Sequence, residues 1–231
     1  MEDLERYGDD NAIDDEVDEG GSHIGRIIIK ILVALCIILV LGVLGVRIFL
    51  SEYTPAPIKN LALTDTVSAY LEQKGENAVA KTQSIRFSYD DEKKGTFFAE
   101  HLILLPEIDH LQITLRYNES TLSVLEEKYG LADLVSANQK ELLSFRLKDN
   151  YERVYEGLVY EEVDQVAMYR YFKLAFDGVD FDPAQNAPEW IRLEIFVAGQ
   201  TEPFSYILIY ENHSEYDTFG DYRIKKEEMP S

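Results

Sequence analysis

Residues 31–46, ILVALCIILVLGVLGV, form a run of 16 apolar or glycine residues between Lys30 and Arg47. As a helix this run measures ~24 Å, at about 1.5 Å per residue. Residues 27–29 and 48–50 extend it to 24 residues if the two flanking cations reach toward water. A helix of that length spans the ~30 Å hydrocarbon core of a bilayer.

Two other interpretations of the run fit less well. A cleaved signal peptide has a shorter apolar region and a small-x-small cleavage site, which residues 46–50 lack. A buried core helix that is apolar on every side needs protein around it on all sides. The sequence therefore predicts a single transmembrane helix over residues 26–50, with the lipid bilayer as the partner of residues 27–50.

The orientation of this helix is not decided by its flanking charges. Arg26 and Lys30 precede its centre and Arg47 and Lys59 follow it, so the positive-inside rule is nearly balanced. A short tail before a long domain favours a signal anchor with a cytoplasmic N-terminus. We expect residues 51–231 to be extracytoplasmic at the cell membrane.

The segment before the helix is strongly acidic. Residues 1–23 contain ten Asp and Glu against the single Arg6, and Gly20-Gly21-Ser22 follows the acidic block. So few apolar groups cannot offset the entropy of an ordered chain. The sequence predicts a disordered, acidic cytoplasmic tail over residues 1–25, which is either a docking segment for a basic partner or simply solvated.

Composition limits the function further. The net charge of −21 divides into −6 for residues 1–50 and −15 for residues 51–231, and no basic cluster suits the phosphates of a nucleic acid. The only cysteine, Cys36, lies in the apolar run, so the domain has no disulfide of its own. A disulfide-free outer domain of roughly 150 residues favours a bacterial envelope protein with one packed core.

Turn and cap residues divide the chain after the helix. Pro55 and Pro57 predict an extended linker over residues 51–60. Thr64 is a candidate N-cap for a helix that ends at Gly75. Asn118 or Ser120 is the corresponding cap for a second helix, which carries the apolar residues Leu122 and Leu125 and ends at Gly130.

The remaining pattern has a period of two. Leu111, Ile113, Leu115 and Tyr117 alternate with polar residues, as in a strand with one face toward water. A hairpin is predicted from residues 85–89 and 96–105 around the loop 90–95, and more strands at 142–148, 154–160, 166–176, 190–197 and 204–210. About eight strands and two short helices predict an antiparallel β-sandwich over residues 61–213, with a frayed polar C-terminal extension over 214–231.

No catalytic constellation is recognisable. The four histidines are scattered, the domain has no cysteine, and no Gly-x-Ser-x-Gly is present. We therefore expect no enzyme activity and no cofactor.

An acidic turn is the one candidate metal site. Asp177, Asp180 and Asp182 lie in a loop with Gly178 and Pro183, and clustered carboxylates suit calcium. Their spacing does not match an EF-hand. A strand-to-strand turn with solvated aspartates is the alternative, because Asp and Gly are common turn residues.

Aromatic residues are crowded into one stretch that contains Tyr151, Tyr155, Tyr160, Tyr169 and Tyr171. They indicate either a stacking platform for sugars or peptides, or ordinary strand packing. The only tryptophan, Trp190, is expected to be a core anchor.

These features predict a membrane-anchored extracytoplasmic interaction or ligand-binding module without catalytic activity, which uses sheet faces, loops or an edge strand. A structural assembly component of an envelope complex, with a protein partner there, is the alternative. An enzyme with an unrecognised site is a third hypothesis, since fold alone does not determine function.

Overall fold

The computed structural model describes residues 19–52, 54–85, 97–131, 139–166, 169–181, 187–212 and 219–229. The chain divides into two compact units, with the boundary after residue 53. The first unit contains helix α1, Glu19–Glu52. Within it, Gly25–Val46 is 22 residues long and apolar enough to cross a membrane. The side chains of this segment are not buried, which disfavours the core-helix interpretation.

The second unit is mainly β-structure. Its described strands are β1 (Lys81–Ser84), β2 (Phe97–Leu105), β3 (His110–Asn118), β4 (Leu143–Asp149), β5 (Val154–Val166), β6 (Tyr169–Asp177), β7 (Trp190–Val197), β8 (Ser205–Glu211) and β9 (Gly220–Asp221). Its described α-helices are α2 (Ala56–Lys59), α3 (Asp65–Lys74), α4 (Glu119–Tyr129) and α5 (Gln139–Leu142).

These nine strands form one sheet in the order β8-β7-β4-β5-β6-β3-β2-β1-β9. Every neighbouring pair is antiparallel. The prediction of a mainly antiparallel β domain with few helices is confirmed, but the sandwich of two facing sheets is not. Alternation shows which side chains share a face, and it does not determine how many sheets the strands form.

The strand predictions agree with the structure to within a few residues. Those from 111–117 onward correspond to β3 through β8 in chain order. In the first hairpin, β2 is as predicted, and it pairs with β1 at residues 81–84. Of the predicted partner strand 85–89 only Ile85 is described, and its N–H donates to the carbonyl of Glu100 at 2.8 Å. Residues 86–96, which include the predicted loop, lie outside the described residues.

The inner face of the sheet holds the main core. The sheet curls so that β8 approaches β2, and the rings of Phe97 and Phe204 have centroids 6.1 Å apart. Leu122 and Leu125 of α4 are fully buried in the same core. Strand β7 contributes the apolar face that alternation predicted, with these residues: Ile191, Leu193, Ile195 and Val197.

Gly157 of β5 is closely packed in this core. A Cβ at this position would lie 2.4 Å from Cε1 of the Phe176 ring and 3.1 Å from the backbone oxygen of Phe145. Because Phe176 is fully buried, we expect Gly157→Ala to lower the free energy of unfolding by about 1–3 kcal/mol through overpacking. Gly220→Ala is the control, since a Cβ there meets no atom within 4 Å. Urea unfolding followed by Trp190 fluorescence measures both variants, and equal effects would contradict the packing argument.

Residues 54–63, which we call the strap, cross the outer face of the sheet. Ile58 is fully buried, and its carbonyl accepts a hydrogen bond from Thr114 Oγ1 at 3.1 Å. The amide of Gln112 bonds both the N–H and the carbonyl of Ala62, each at 2.8 Å. The extended spacer expected at residues 51–60 is thus a packed segment from residue 54 onward, because polar residues of β3 bind its backbone.

This strap also corrects the prediction for β3. Gln112 and Thr114 were expected to face water, but both are fully buried. Their polar atoms are satisfied by the strap backbone, so burial costs them little. The polar residues of this alternating strand are thus covered by another segment instead of by water. That segment, the strap, lies more than 45 residues earlier in the chain.

The described part of the C-terminal segment packs on the same outer face. Strand β9 pairs with β1, and the Glu228 carboxylate accepts bonds from Leu61 N at 2.8 Å, Tyr222 Oη at 2.6 Å and Lys225 N at 2.6 Å. Tyr222 and Ile224 pack against a second core. Residues 219–229 are therefore not the frayed extension that polarity predicted. The second core comprises Leu61, Val67, Tyr70, Leu71, Ala80, Ile103 and Leu105.

Both predicted helices are confirmed with their caps. Thr64 Oγ1 accepts from the Val67 N–H at 3.2 Å, and Gly75 follows the last turn of α3. Asn118 Oδ1 accepts from Thr121 N at 3.1 Å, and Gly130 ends α4 in the left-handed region.

Candidate binding surface

The two described carboxylates of the predicted calcium loop have protein partners. Asp177 Oδ1 lies 2.6 Å from His110 Nδ1, and Asp180 Oδ2 lies 3.6 Å from Arg153 Nη1. Asp182 lies outside the described residues. Among the described residues, no group of three or more His, Cys, Asp or Glu side chains is arranged to hold a metal. Calcium binding by Asp177, Asp180 and Asp182 stays a prediction.

His110 is a buried partner of this loop. Burial lowers the pKa of His110, although Asp177 raises it. The ring is therefore neutral at pH 7, and its Nε2 lies 3.1 Å from Gln112 Nε2, which donates. A neutral imidazole that accepts at Nε2 donates at Nδ1 to Asp177. The contact anchors the end of β6 to β3.

The clustered tyrosines do not share one surface. Tyr155 packs against the main core on the inner face, and Tyr171 is buried. Tyr160 donates from its hydroxyl to the Leu63 carbonyl at 2.7 Å, on the strap side. Tyr169 lies under the Arg116 guanidinium at 4.5 Å. The strand-packing interpretation accounts for these contacts, and a single stacking platform does not.

Within the described residues, the strap and the C-terminal segment cover only part of the outer face, and they leave it uncovered over β4, β7, β8 and residues 154–158 of β5. Cross-strand register places side chains of all four strands on this uncovered part. Leu158 exposes 71% of its surface, Val154 46% and Tyr206 45%. We call this surface the open face, and its residues are Arg146, Lys148, Val154, Glu156, Leu158, Trp190, Arg192, Glu194, Phe196 and Tyr206.

A buried carboxylate lies at the centre of the open face. Glu194 is almost fully buried, and its two oxygens accept from Arg146 Nε at 2.6 Å and from Arg192 Nε at 2.8 Å. Burial raises the pKa of Glu194, but the hydrogen bonds from both arginines outweigh it, so the net shift is downward. Glu194 is therefore ionised at neutral pH and holds both guanidinium groups in place.

Aromatic rings complete the arrangement. The guanidinium of Arg146 lies 4.3 Å from the ring centroid of Phe196. Arg192 lies between Trp190 and Tyr206, at 5.4 and 5.7 Å from their centroids. Trp190 is thus half-buried on the open face, and it is not the core anchor that was expected of the only tryptophan in the chain. Ordered Arg, Trp and Tyr side chains are the types that dominate protein–protein binding energy.

The open face also has unused hydrogen-bonding groups. Within the part of the chain that the structure describes, the η nitrogens of Arg146 have no hydrogen-bond partner. Glu156, directly opposite Arg146 in the register, is exposed and has no ion pair among the described residues. The Arg146 guanidinium is held on Glu194 of β7, on the side of β4 away from Glu156. Donors and an acceptor therefore both face solvent.

A different polar cluster is enclosed beneath the strap. Register aligns His101, Thr114, Lys173 and Glu161 across β2, β3, β6 and β5. Lys173 is fully buried, and among the described residues its Nζ has no hydrogen-bond partner. Burial lowers the pKa of Lys173 to about 7, against the opposing effects of Glu228 and Glu161. Because this amine is enclosed, it does not form an accessible site.

One groove lies between the C-terminal segment and the end of α3. It has a volume of about 980 Å³ and presents three cations and one carboxylate. No nucleophile and base stand side by side among its lining residues, so it does not support the enzyme hypothesis. The lining includes Glu76, Tyr222, Arg223, Lys225, Lys226 and Met229.

Comparison of the chain with protein-family models, with curated proteins and with solved structures gives no match. Of the surfaces described, the open face combines exposed apolar side chains, fixed arginines and aromatic rings. These are features of a surface that binds protein.

Proposed function

We propose that this chain is a membrane-anchored, non-catalytic module that binds protein through the open face, with α1 in the bilayer and the β domain on the extracytoplasmic side. The observation that carries the proposal is the open face itself. Glu194 and the neighbouring aromatic rings already hold Arg146 and Arg192 in place, so these two side chains lose little entropy when a partner binds.

The chemistry of the open face fits protein better than a small ligand. Small-molecule sites are concave pockets that enclose most of a ligand's surface. The open face is instead a continuous sheet surface with Leu158 and Val154 exposed beside the Arg146–Glu194–Arg192 cluster. An apolar patch with fixed charges at its edge supplies both burial and orientation to a protein partner.

Native electrophoresis of mildly solubilised membranes tests this function. We expect the wild-type chain to migrate as a complex larger than its 26.5 kDa monomer. Val154→Asp should weaken the association constant at least about tenfold and so lower the complexed fraction, because a buried charge costs more than 1.4 kcal/mol. Val124→Asp on α4 is the matched control, since Val124 is 42% exposed and Val154 is 46% exposed. A monomeric wild type, or equal loss in both variants, would contradict the proposal.

The proposed orientation has its own test. Protease added to whole cells should digest the β domain and leave α1 with its acidic tail protected. Protection of the domain in whole cells, with digestion in inverted vesicles, would reverse the orientation. It would leave the binding surface unaffected.

A further inference from the structure

We propose that the partner on the open face is a second copy of this chain, docked face to face about a two-fold axis that passes between Arg146 and Glu156. This inference rests on the proposed function, because the open face must bind protein for it to hold. What it adds is the identity of the partner.

The open face of the monomer carries two charged groups whose hydrogen-bonding capacity is unused within the described residues. Arg146 uses Nε for Glu194, and its η nitrogens have no partner within the described residues. Glu156 is the adjacent residue on the same face, one strand away, and it is exposed without an ion pair in that same part of the chain. Guanidinium η groups and a carboxylate form bidentate charge-assisted pairs. The surface therefore carries both halves of one ion pair.

Two-fold symmetry joins these halves. In an isologous interface residue i contacts residue j of the other copy, and j contacts i. Neighbouring strands are about 4.8 Å apart, so an axis that runs parallel to the strands, between Arg146 and Glu156, places each of these residues opposite the other type in the second copy. Both pairs then form at once: Arg146 with Glu156 of the partner subunit, and Glu156 with the partner subunit's Arg146. An unrelated partner would need an anion opposite Arg146 and, about one strand spacing away, a cation opposite Glu156.

The apolar residues around the axis suit the same arrangement. Val154 and Leu158 flank Glu156 along β5 on the open face, and both are exposed. In a face-to-face pair about this axis, Val154 and Leu158 lie over β4 of the opposite copy, on either side of the ion pairs, and shield these pairs from water. Shielded pairs of opposite charge fix register and exclude wrong partners. The open face thus offers apolar area on both sides of its charged centre.

Cysteine crosslinking of the full chain in native membranes tests the inference. Cys36→Ser removes the native thiol, and Leu158→Cys places one new thiol near the axis. An axis along the strands leaves the two copies of position 158 about 4.8 Å apart sideways and about 10 Å apart between the facing sheets, so a bismaleimide that spans roughly 11 Å should join the two thiols. Val124→Cys on α4 is the matched control. We expect an adduct of twice the monomer mass from position 158 and none from position 124.

Charge variants then test the pairing. Glu156→Lys sets two cations against each other across the axis and should lower the dimer yield at least tenfold, and Glu156→Gln should lower it less. Glu127→Lys on α4 makes the same charge change off the open face and should leave the yield unchanged. The tryptophan emission of each variant, compared with wild type, verifies folding. If Glu156→Lys fails to fold, Glu156→Gln decides, and an unchanged yield there would overturn the inference.

The outcomes separate this inference from the proposed function. An adduct between position 158 and a different protein, without a dimer, overturns self-association and leaves the binding function in place. The absence of any dimer adduct from position 158 overturns self-association, and the native electrophoresis of the wild-type chain then decides the binding function. A dimer that forms equally from position 124 shows contact that does not use the open face. A dimer that persists in Glu156→Lys overturns the proposed two-fold pairing of Arg146 with Glu156.

Discussion

Replacing Lys173 with methionine is expected to stabilise the β domain and to flatten its pH dependence. Lys173 is fully buried, and its amine has no hydrogen-bond partner among the described residues. Methionine has a similar length and no polar atom to desolvate, so it fills the same space under the strap. At pH 7 we expect the free energy of unfolding to rise by roughly 1–4 kcal/mol, as for other buried charges replaced by apolar side chains.

The pH dependence follows from the direction of the pKa shift. The pKa of Lys173 is about 7 in the folded chain and near its ordinary 10.5 in the unfolded chain. Between these values the unfolded chain holds a proton that the folded chain lacks, so the wild-type stability rises with pH. The slope reaches about 1.4 kcal/mol per pH unit, and the contribution is constant below 7 and above 10.5. In Lys173→Met this slope is lost.

Chemical unfolding of the full chain in detergent, followed by Trp190 fluorescence from pH 6 to 10, measures both effects. Lys226→Met is the control, because Lys226 is exposed and its change should stay within about 0.5 kcal/mol. A Lys173→Met variant that is less stable than wild type at pH 7 would show that the ammonium group has a stabilising partner. If the free energy of unfolding of Lys173→Met still rises with pH at the wild-type slope, another titrating group causes that slope.

Removing the carboxylate of Glu194 is expected to have the second largest effect. Glu194→Ala leaves Arg146 and Arg192 adjacent without a shared anion. Losing one partner of a fully buried pair costs about 3–5 kcal/mol. Because each arginine side chain is 34% exposed, solvent screening should reduce the loss to roughly 2 kcal/mol. The variant should also weaken partner binding, since both guanidinium groups lose the bonds that orient them.

Acid titration gives an independent check on Glu194. Its pKa lies below its ordinary value of 4.5 in the folded chain. Its stabilising contribution is therefore complete above 4.5 and is lost as pH falls through the folded-state pKa. In Glu194→Ala this part of the acid transition should disappear. Glu202→Ala, at an exposed turn, is the control, and an equal loss of stability in both variants would contradict the central role of Glu194.

Local chemistry explains which elements could be predicted from sequence. The caps Thr64 and Asn118 act within a few residues, so their helices are readable without knowledge of the fold. The alternation of β7 likewise identifies its inner face. These signals arise from neighbours along the chain, and tertiary context does not override them here.

The candidate site could not be predicted in the same way. The open face arises because β7 pairs with β4, more than 40 residues earlier, which brings Arg146 to Glu194. Neither residue has a local signal for that contact. The buried state of Gln112 is equally non-local, because it depends on the strap backbone. A polar residue at an alternating strand position indicates only that its side chain meets polar atoms. These atoms belong either to water or, as for Gln112, to the backbone of another segment.

The central claim is that the open face contacts protein in the native membrane, and a photo-crosslinking amino acid at Tyr206 tests it most directly. Tyr206 is 45% exposed, and it lies beside Arg192 on that face. The account predicts covalent protein adducts from position 206 and none from the same amino acid at Val124 on α4. Adducts from position 124 alone, or equal yields from the two positions, would contradict it.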